Sequence, residues 1–388
     1  MRIKYFITLL VCVLVLAASL TAHTGPVKFA RYPNAQNGKI VFTFHGDLWV
    51  ANDDGSHPYR LTDNVAMDIF PRFSPDGKWV AFTSDRMGNN DIWMIPVGGG
   101  EARQLTFHTT SDNMVNWMPD GKSVIFQTSR KGTFSSPLYT VDLKGHLPVP
   151  LPIDMGAAGM FSQDGKKFAF NRLGFRYWRK HYKGNNNTDI WVQDVGTKDI
   201  TQLTDLDIKK FRSHTQDAYP MWGADGKIYF MSERDDVFNI WKISPEGGTP
   251  EQVTFHKKDG IQYPSISPNG QTIVYENEFE LWKMDIPGGT PQRIPISIDF
   301  EAKENLVEYL QVDSKADGFG PSPDGETLAV DNHGEIFTVP TDSDLGEKSR
   351  ITASSWRDRS PVYSPDGKYL AYVSDESGEW EIWLHDLE

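Results

Sequence analysis

Eight times along the chain an Asp-Gly or Asn-Gly pair is followed, 11 to 26 residues later, by an aliphatic residue and an aromatic one. The pairs are Asn37-Gly38, Asp76-Gly77, Asp120-Gly121, Asp164-Gly165, Asp225-Gly226, Asn269-Gly270, Asp324-Gly325 and Asp366-Gly367. Their partners are Leu48-Trp49, Ile92-Trp93, Leu138-Tyr139, Ile190-Trp191, Ile240-Trp241, Leu281-Trp282, Ile336-Phe337 and Ile382-Trp383. A period mostly of about 40 to 45 residues marks a propeller or solenoid, whose unit is one small sheet unable to bury its faces alone.

The second unit is the clearest. Pro71 to Ser84, Asp91 to Ile95 and Arg103 to Thr106 are short extended runs separated by turn residues. Asp76-Gly77 suits a tight hairpin because glycine accepts positive φ at no steric cost. Trp79, Ala81 and Thr83 alternate with Val80, Phe82 and Ser84, the period-2 pattern of a strand with two distinct faces. One strand before the turn, one after it, the Ile-Trp strand and a closing Gln-Leu-Thr strand make a four-stranded blade. The closing signature recurs at Arg60-Leu61-Thr62, Gln202-Leu203-Thr204, Gln252-Val253-Thr254 and Arg350-Ile351-Thr352. Packing between blades accounts for the aromatic positions, since aromatics carry large buried area.

After six units the pattern lapses through Ser297-Ile298-Asp299-Phe300-Glu301-Ala302-Lys303-Glu304, and two further units follow from about residue 313. Two architectures fit. Either six blades close one propeller and two begin another, or eight close one ring in which Val27 to Tyr32 supply the last strand.

Composition narrows the function. A formal charge of -13, from 52 acidic against 39 basic residues, leaves no electrostatic footprint for a nucleic acid. Arg2 and Lys4 precede an apolar run from Tyr5 to Leu16 and then small residues, the layout of a secretory signal peptide over residues 1–22. The run is shorter than the ~20 residues of a spanning helix, so export to a secreted or periplasmic location is expected over membrane anchoring. Cys12 is the only cysteine, so a cleaved chain would have no disulfide.

Ser74-Pro75-Asp76-Gly77-Lys78 with Ser84-Asp85-Arg86 is the generic repeat of TolB-like and tricorn-like propellers. Three segments resemble the tricorn protease family more narrowly: Arg31-Tyr32-Pro33 with Gly46-Asp47-Leu48-Trp49-Val50, Tyr177-Trp178-Arg179-Lys180-His181-Tyr182-Lys183-Gly184, and Tyr219-Pro220-Met221-Trp222. The resemblance covers essentially all of the chain after the signal peptide. It implies an all-β fold: a six-bladed β-propeller of four-stranded blades over 23–296, a connector over 297–312, and the first two blades of a second propeller over 313–388. It also implies that the parent protein is a serine peptidase whose catalytic domains lie elsewhere, that peptide or unfolded polypeptide is the partner, and that the full-length protein is a homo-oligomer. Archetypal members anchor a substrate C-terminus on two adjacent arginines in a propeller loop. That loop falls here between Thr128 and Leu138 and holds Arg130-Lys131, whereas counting back from Leu138 puts Ser135-Ser136 at the anchoring position.

No Gly-x-Ser-x-Gly elbow and no His-Glu-x-x-His occur, and Gly121-Lys122-Ser123 is a hairpin turn because Asn116 stands where a phosphate loop needs glycine. No catalytic residue, metal or cofactor is therefore expected in this segment. The fourth unit's insertion sets Arg176, Arg179, Lys180 and Lys183 among Tyr177, Trp178 and Tyr182, which could stack on and pair with a peptide. Loop packing is the competing explanation. Arg130, Lys131, Arg176, Trp178, Arg179, Lys180 and Lys183 are thus the candidate substrate-binding residues. A TolB-like binding module without catalysis, and a propeller fused to another hydrolase, remain as alternative functions.

Overall fold

The computed structural model describes residues 26–130, 137–153, 156–182, 184, 186–204, 215–298 and 316–387. The signal-peptide segment 1–22 and the connector from 299 onward lie outside the described residues. The strands form eight antiparallel sheets, seven of four strands and one of three, and every sheet runs in chain order. We number them blades one to eight: residues 31–60, 68–104, 112–150, 158–202, 217–252, 262–294, 318–350 and 358–386.

Blade two shows why the sequence folds this way. Its strands are Asp68–Phe73, Trp79–Ser84, Asp91–Pro96 and Arg103–Gln104. Between the first two, Ser74 Oγ donates to Asp76 Oδ1 at 2.6 Å and accepts from the Trp79 amide at 3.0 Å, while Gly77 sits at φ 70°. Only glycine takes that conformation without a Cβ penalty. The Ser-to-Asp or Ser-to-Asn bond recurs from Ser162, Ser267, Ser322 and Ser364, so one local device makes the turn in five blades.

The second strand is buried on both faces because each face meets a different neighbour. Val80 and Phe82 pack with Val41, Leu48 and Val50 of blade one, whereas Ala81 packs with Met114, Val124 and Phe126 of blade three. The alternation in the sequence is real, but it separates two apolar neighbours rather than core from water. The closing strand is shorter than the signature, only Arg103–Gln104. Leu105 is buried beyond it, and Thr106 Oγ1 accepts from the Ile92 amide at 2.9 Å and donates to Asp91 at 3.0 Å. Thr62, Thr204, Thr254 and Thr352 hold the third strands of their blades in the same way.

Blade one closes the ring on blade six. Its first strand, Arg31–Gln36, packs on Gln262–Ile266 and Thr272–Asn277. Asn34 Nδ2 donates to Ser265 Oγ at 3.1 Å, Ser265 Oγ donates to the Pro33 carbonyl at 2.6 Å, and the Val27 amide donates to the Ile296 carbonyl at 2.8 Å. Ile40, Phe42 and Trp49 share one core with Val274, Leu281 and Ile294. Six blades therefore close a propeller, and Val27 joins the end of blade six rather than completing blade eight, which sets aside the ring of eight.

The chain divides into two compact units at residues 300 and 301. The second unit holds blades seven and eight, the first two blades of a second propeller, on a small core of Ala329, Ile336 and Leu370. Blade eight has three strands, and Ile382 and Leu384 on its last strand are exposed. Among the described residues no helix is long and apolar enough to cross a membrane.

Candidate functional site

The first strands of blades one to six line the axis of the ring, and in four of these blades the first strand is broken by the same device. Tyr32-Pro33, Phe70-Pro71, Tyr219-Pro220 and Tyr263-Pro264 each interrupt the pairing register with the second strand. Proline cannot donate to a ladder and is confined to edge strands, which the innermost strand of a blade is. The aromatic residue before each proline has positive φ: 54° at Tyr32, 52° at Phe70, 56° at Tyr219 and 45° at Tyr263. Such backbone costs about 1 to 2 kcal/mol for a residue with a Cβ, and it gathers at functional positions.

The rings so displaced meet across the axis. Tyr32 lies 4.4 Å from Phe70 and 4.6 Å from Tyr263, and Phe70 of blade two reaches within 6.0 Å of Tyr263 of blade six, two blades away. The insertion in blade four adds to this cluster: Phe175 lies 5.9 Å from Tyr219 and Tyr177 lies 5.1 Å from Tyr263. Tyr177 Oη accepts from the Tyr263 amide at 2.6 Å. Burial pushes the Tyr32 phenol up to about 12 and likewise raises Tyr177 and Tyr219, so these three phenols are uncharged at neutral pH. At its edge Arg31 stacks on Tyr32 and Tyr263, while Glu276 accepts from Arg31 Nε at 2.5 Å and from the Tyr32 amide at 2.7 Å. Burial pushes the Glu276 carboxyl up to about 7 against the pull of that guanidinium.

Phe70 and Tyr219 also line a cavity of about 190 Å³ within the channel, together with Arg72, Asn113, Asn116, Met160, Met221 and other residues of blades two to six. No Asp or Glu lines it. Arg72 donates from Nη1 to the Pro71 carbonyl at 2.8 Å and from Nε to the Val115 carbonyl at 3.3 Å. The guanidinium keeps some surface open to the cavity yet lies deep in the protein, and desolvation lowers it to about 10.

The sequence candidates lie elsewhere. Arg130 donates to Asp112 at 2.7 Å and lies over Phe126 and Tyr139. Arg86 with Asp68 and Arg234 with Asp217 repeat that pair in blades two and five, so the blade itself accounts for Arg130. Lys131, Ser135, Ser136 and Lys183 lie outside the described residues. In the insertion, Phe175 and Tyr177 turn toward the channel cluster, whereas Arg176, Trp178 and Lys180 face outward. Arg176 stacks on the exposed Trp178 and Arg179 on Tyr182, with the Arg179 carbonyl held by Gln216. These residues form an outer surface on the insertion, apart from the channel. The channel residues Tyr32, Phe70, Arg72, Tyr219 and Tyr263 were not among the sequence candidates, though one signal marks the aromatics: an aromatic-proline pair five or six residues before the turn Asp or Asn. Among the described residues no group of three or more His, Cys, Asp or Glu could hold a metal ion.

A closed six-bladed ring with an aromatic-crossed axial channel, followed by further blades, defines a β-propeller protein. Residues 27–290 match the family described as the tricorn protease N-terminal beta propeller domain, and the chain belongs to that family. It is 21% identical to a tricorn protease homolog of Saccharolobus solfataricus over 411 residues, covering 93% of this chain and 36% of that protein. It is 32% identical over 163 residues to a TolB homolog of Chlorobium luteolum, covering 41% of this chain and 34% of the other. The crystal structure of the tricorn protease superposes with a TM-score of 0.73 at 19% identity over 93% of this chain and 36% of that one, a likeness of fold. The chain thus spans about a third of the length of these relatives.

Proposed function

We propose that this chain is the N-terminal propeller portion of an exported tricorn-like serine peptidase, whose channel gates or guides peptides to catalytic domains outside these 388 residues. The observation that carries the reading is the channel of a tricorn-family ring, crossed by rings from four blades and opening into an amide-lined and apolar cavity. Such a lining takes an extended polypeptide through its aromatic and methionine surfaces and its amides, and its size excludes a folded domain. Export rests on Arg2, Lys4 and the apolar run from Tyr5 to Leu16. Assembly of the full-length protein as a homo-oligomer belongs to the same reading.

The similarity to the TolB homolog supports a second reading, a periplasmic module whose loops dock a protein partner without chemistry. A photo-crosslinking residue at Met221 in the channel, and another at Trp178 on the insertion, separate the two. Capture of added unfolded peptide at position 221 is the expected result. Capture of peptide only at 178 would remove the channel reading.

A further inference from the structure

The cavity beneath the aromatic cluster holds one positive charge and no negative one, and Arg72 supplies it. A guanidinium has five N–H donors in a planar fork. Among the described residues, those of Arg72 meet only the carbonyls of Pro71 and Val115, one through Nη1 and one through Nε, and Nη2 meets no acceptor there. Two amides in the same lining, those of Asn113 and Asn116, have their oxygens engaged. Asn116 Oδ1 accepts from the Trp117 amide at 2.9 Å and Asn113 Oδ1 accepts from Asn90 Nδ2 at 3.1 Å. With their oxygens so occupied, both side-chain NH₂ groups are left without an acceptor among the described residues. A cation and two donors thus line one small space whose remaining walls include Met160, Met221 and Ile266.

We propose that this cavity is a carboxylate-binding site, with Arg72 as the charge partner, Asn113 and Asn116 as flanking donors, and the methionines packing on the stem that carries the carboxylate. One guanidinium among neutral amides matches a monoanion, and its fork matches the two oxygens of a carboxylate. The volume of about 190 Å³ is near that of a cavity that holds benzene, so it takes one side chain or terminal residue and excludes a nucleotide. The three polar groups lie on the first strands of blades two and three. The carboxylate could sit on a free acid, on a peptide C-terminus or on an acidic side chain, and the peptide sources rest on the function proposed above.

The test is a calorimetric titration of the 388-residue chain with benzoate and with benzamide, its neutral counterpart. Benzoate is expected to bind at least about tenfold more tightly, the scale of a charge-assisted hydrogen bond. Arg72→Gln removes that preference, and so does Asn116→Asp, which keeps Arg72 and sets a negative charge beside it. If Arg72→Gln does not fold, the wild-type preference and the Asn116→Asp variant still decide. Equal binding of the two probes, no binding of benzoate, or binding indifferent to both variants would overturn the site. Competition with benzoate by N-acetyl-alanyl-phenylalanine but not its amide assigns a C-terminal carboxylate, and competition by N-acetyl-alanyl-aspartyl amide assigns an acidic side chain. Benzoate binding with no peptide competing leaves the site standing for free acids and counts against peptide traffic. Peptide capture at position 221 without benzoate binding does the reverse.

Discussion

Replacing Arg130 by Met decides whether that arginine holds the blade or holds a substrate. Asp112 has a side chain 0% exposed and Arg130 one 14% exposed, so the substitution strands a carboxylate with no water to replace the lost cation. Breaking a buried pair from one side costs about 3 to 5 kcal/mol. The contacts of the guanidinium with Phe126 and Tyr139, both at 5.2 Å, add about 0.5 to 1 kcal/mol each where exposed to solvent, a part of which the Met stem recovers by packing. At roughly 2 to 4 °C per kcal/mol for a domain of this size, Tm falls by roughly 6 to 20 °C. The double substitution Asp112→Leu with Arg130→Met removes both charges and is expected to recover most of that loss. The assay is thermal unfolding of the three variants beside Arg86→Met, which breaks the equivalent pair in blade two and should behave alike. A Tm for Arg130→Met within about 1 °C of wild type, or a double variant as unstable as the single, would refute the structural assignment and return Arg130 to the substrate-binding candidates.

Three further outcomes follow from the same geometry. Glu276 is ordinarily 4.5 and is pushed to about 7 by burial, so the folded protein binds its proton more tightly than the unfolded chain; its contribution is present below about pH 4.5 and is lost as pH rises to about 7. Unfolding free energy measured across that window should fall on the order of 3 kcal/mol, and Glu276→Gln should flatten the profile; superimposable profiles would count against it. Tyr263→Ala and Tyr263→Gly lose the same ring contacts, yet the glycine variant is expected to be more stable by about 1 kcal/mol because residue 263 has φ 45°, and the reverse order of Tm values would show that the bulge is not strained. The 388-residue chain alone should leave a fluorogenic peptide intact over hours, and turnover by the pure chain would place peptidase chemistry within it.

Much of the fold was legible because its devices are local. A Ser-x-Asp-Gly or Ser-x-Asn-Gly turn is closed by hydrogen bonds among residues two to five apart, as at Ser74, Asp76 and Trp79; five such turns and three further Asp-Gly or Asn-Gly turns announce eight sheets wherever those sheets come to lie. The site was less legible. Arg130 and the basic insertion drew notice because charge beside aromatics is visible in one dimension, but Arg130 is met by Asp112, 18 residues earlier in the chain. Arg72 looks like any blade residue until the axis is formed. Its distinction is that the strands around it contribute amides and methionines instead of a carboxylate.

The amino-acid sequence by itself determined the blades: their number, the strand meander, and the threonine that ties the third strand in five of them. These depend on contacts spanning a few to some fifteen residues, which composition and spacing encode directly. Only the tertiary structure decided that six blades close and what stands on their axis. Closure rests on Asn34 with Ser265 and on Arg31 with Glu276, pairs more than two hundred residues apart, and no periodicity within a repeat can specify which repeat meets which. The channel is likewise a property of the ring. Tyr32, Phe70, Tyr219 and Tyr263 occupy equivalent places in four separate sheets, and they form one cluster only because ring closure brings those places together around a common axis.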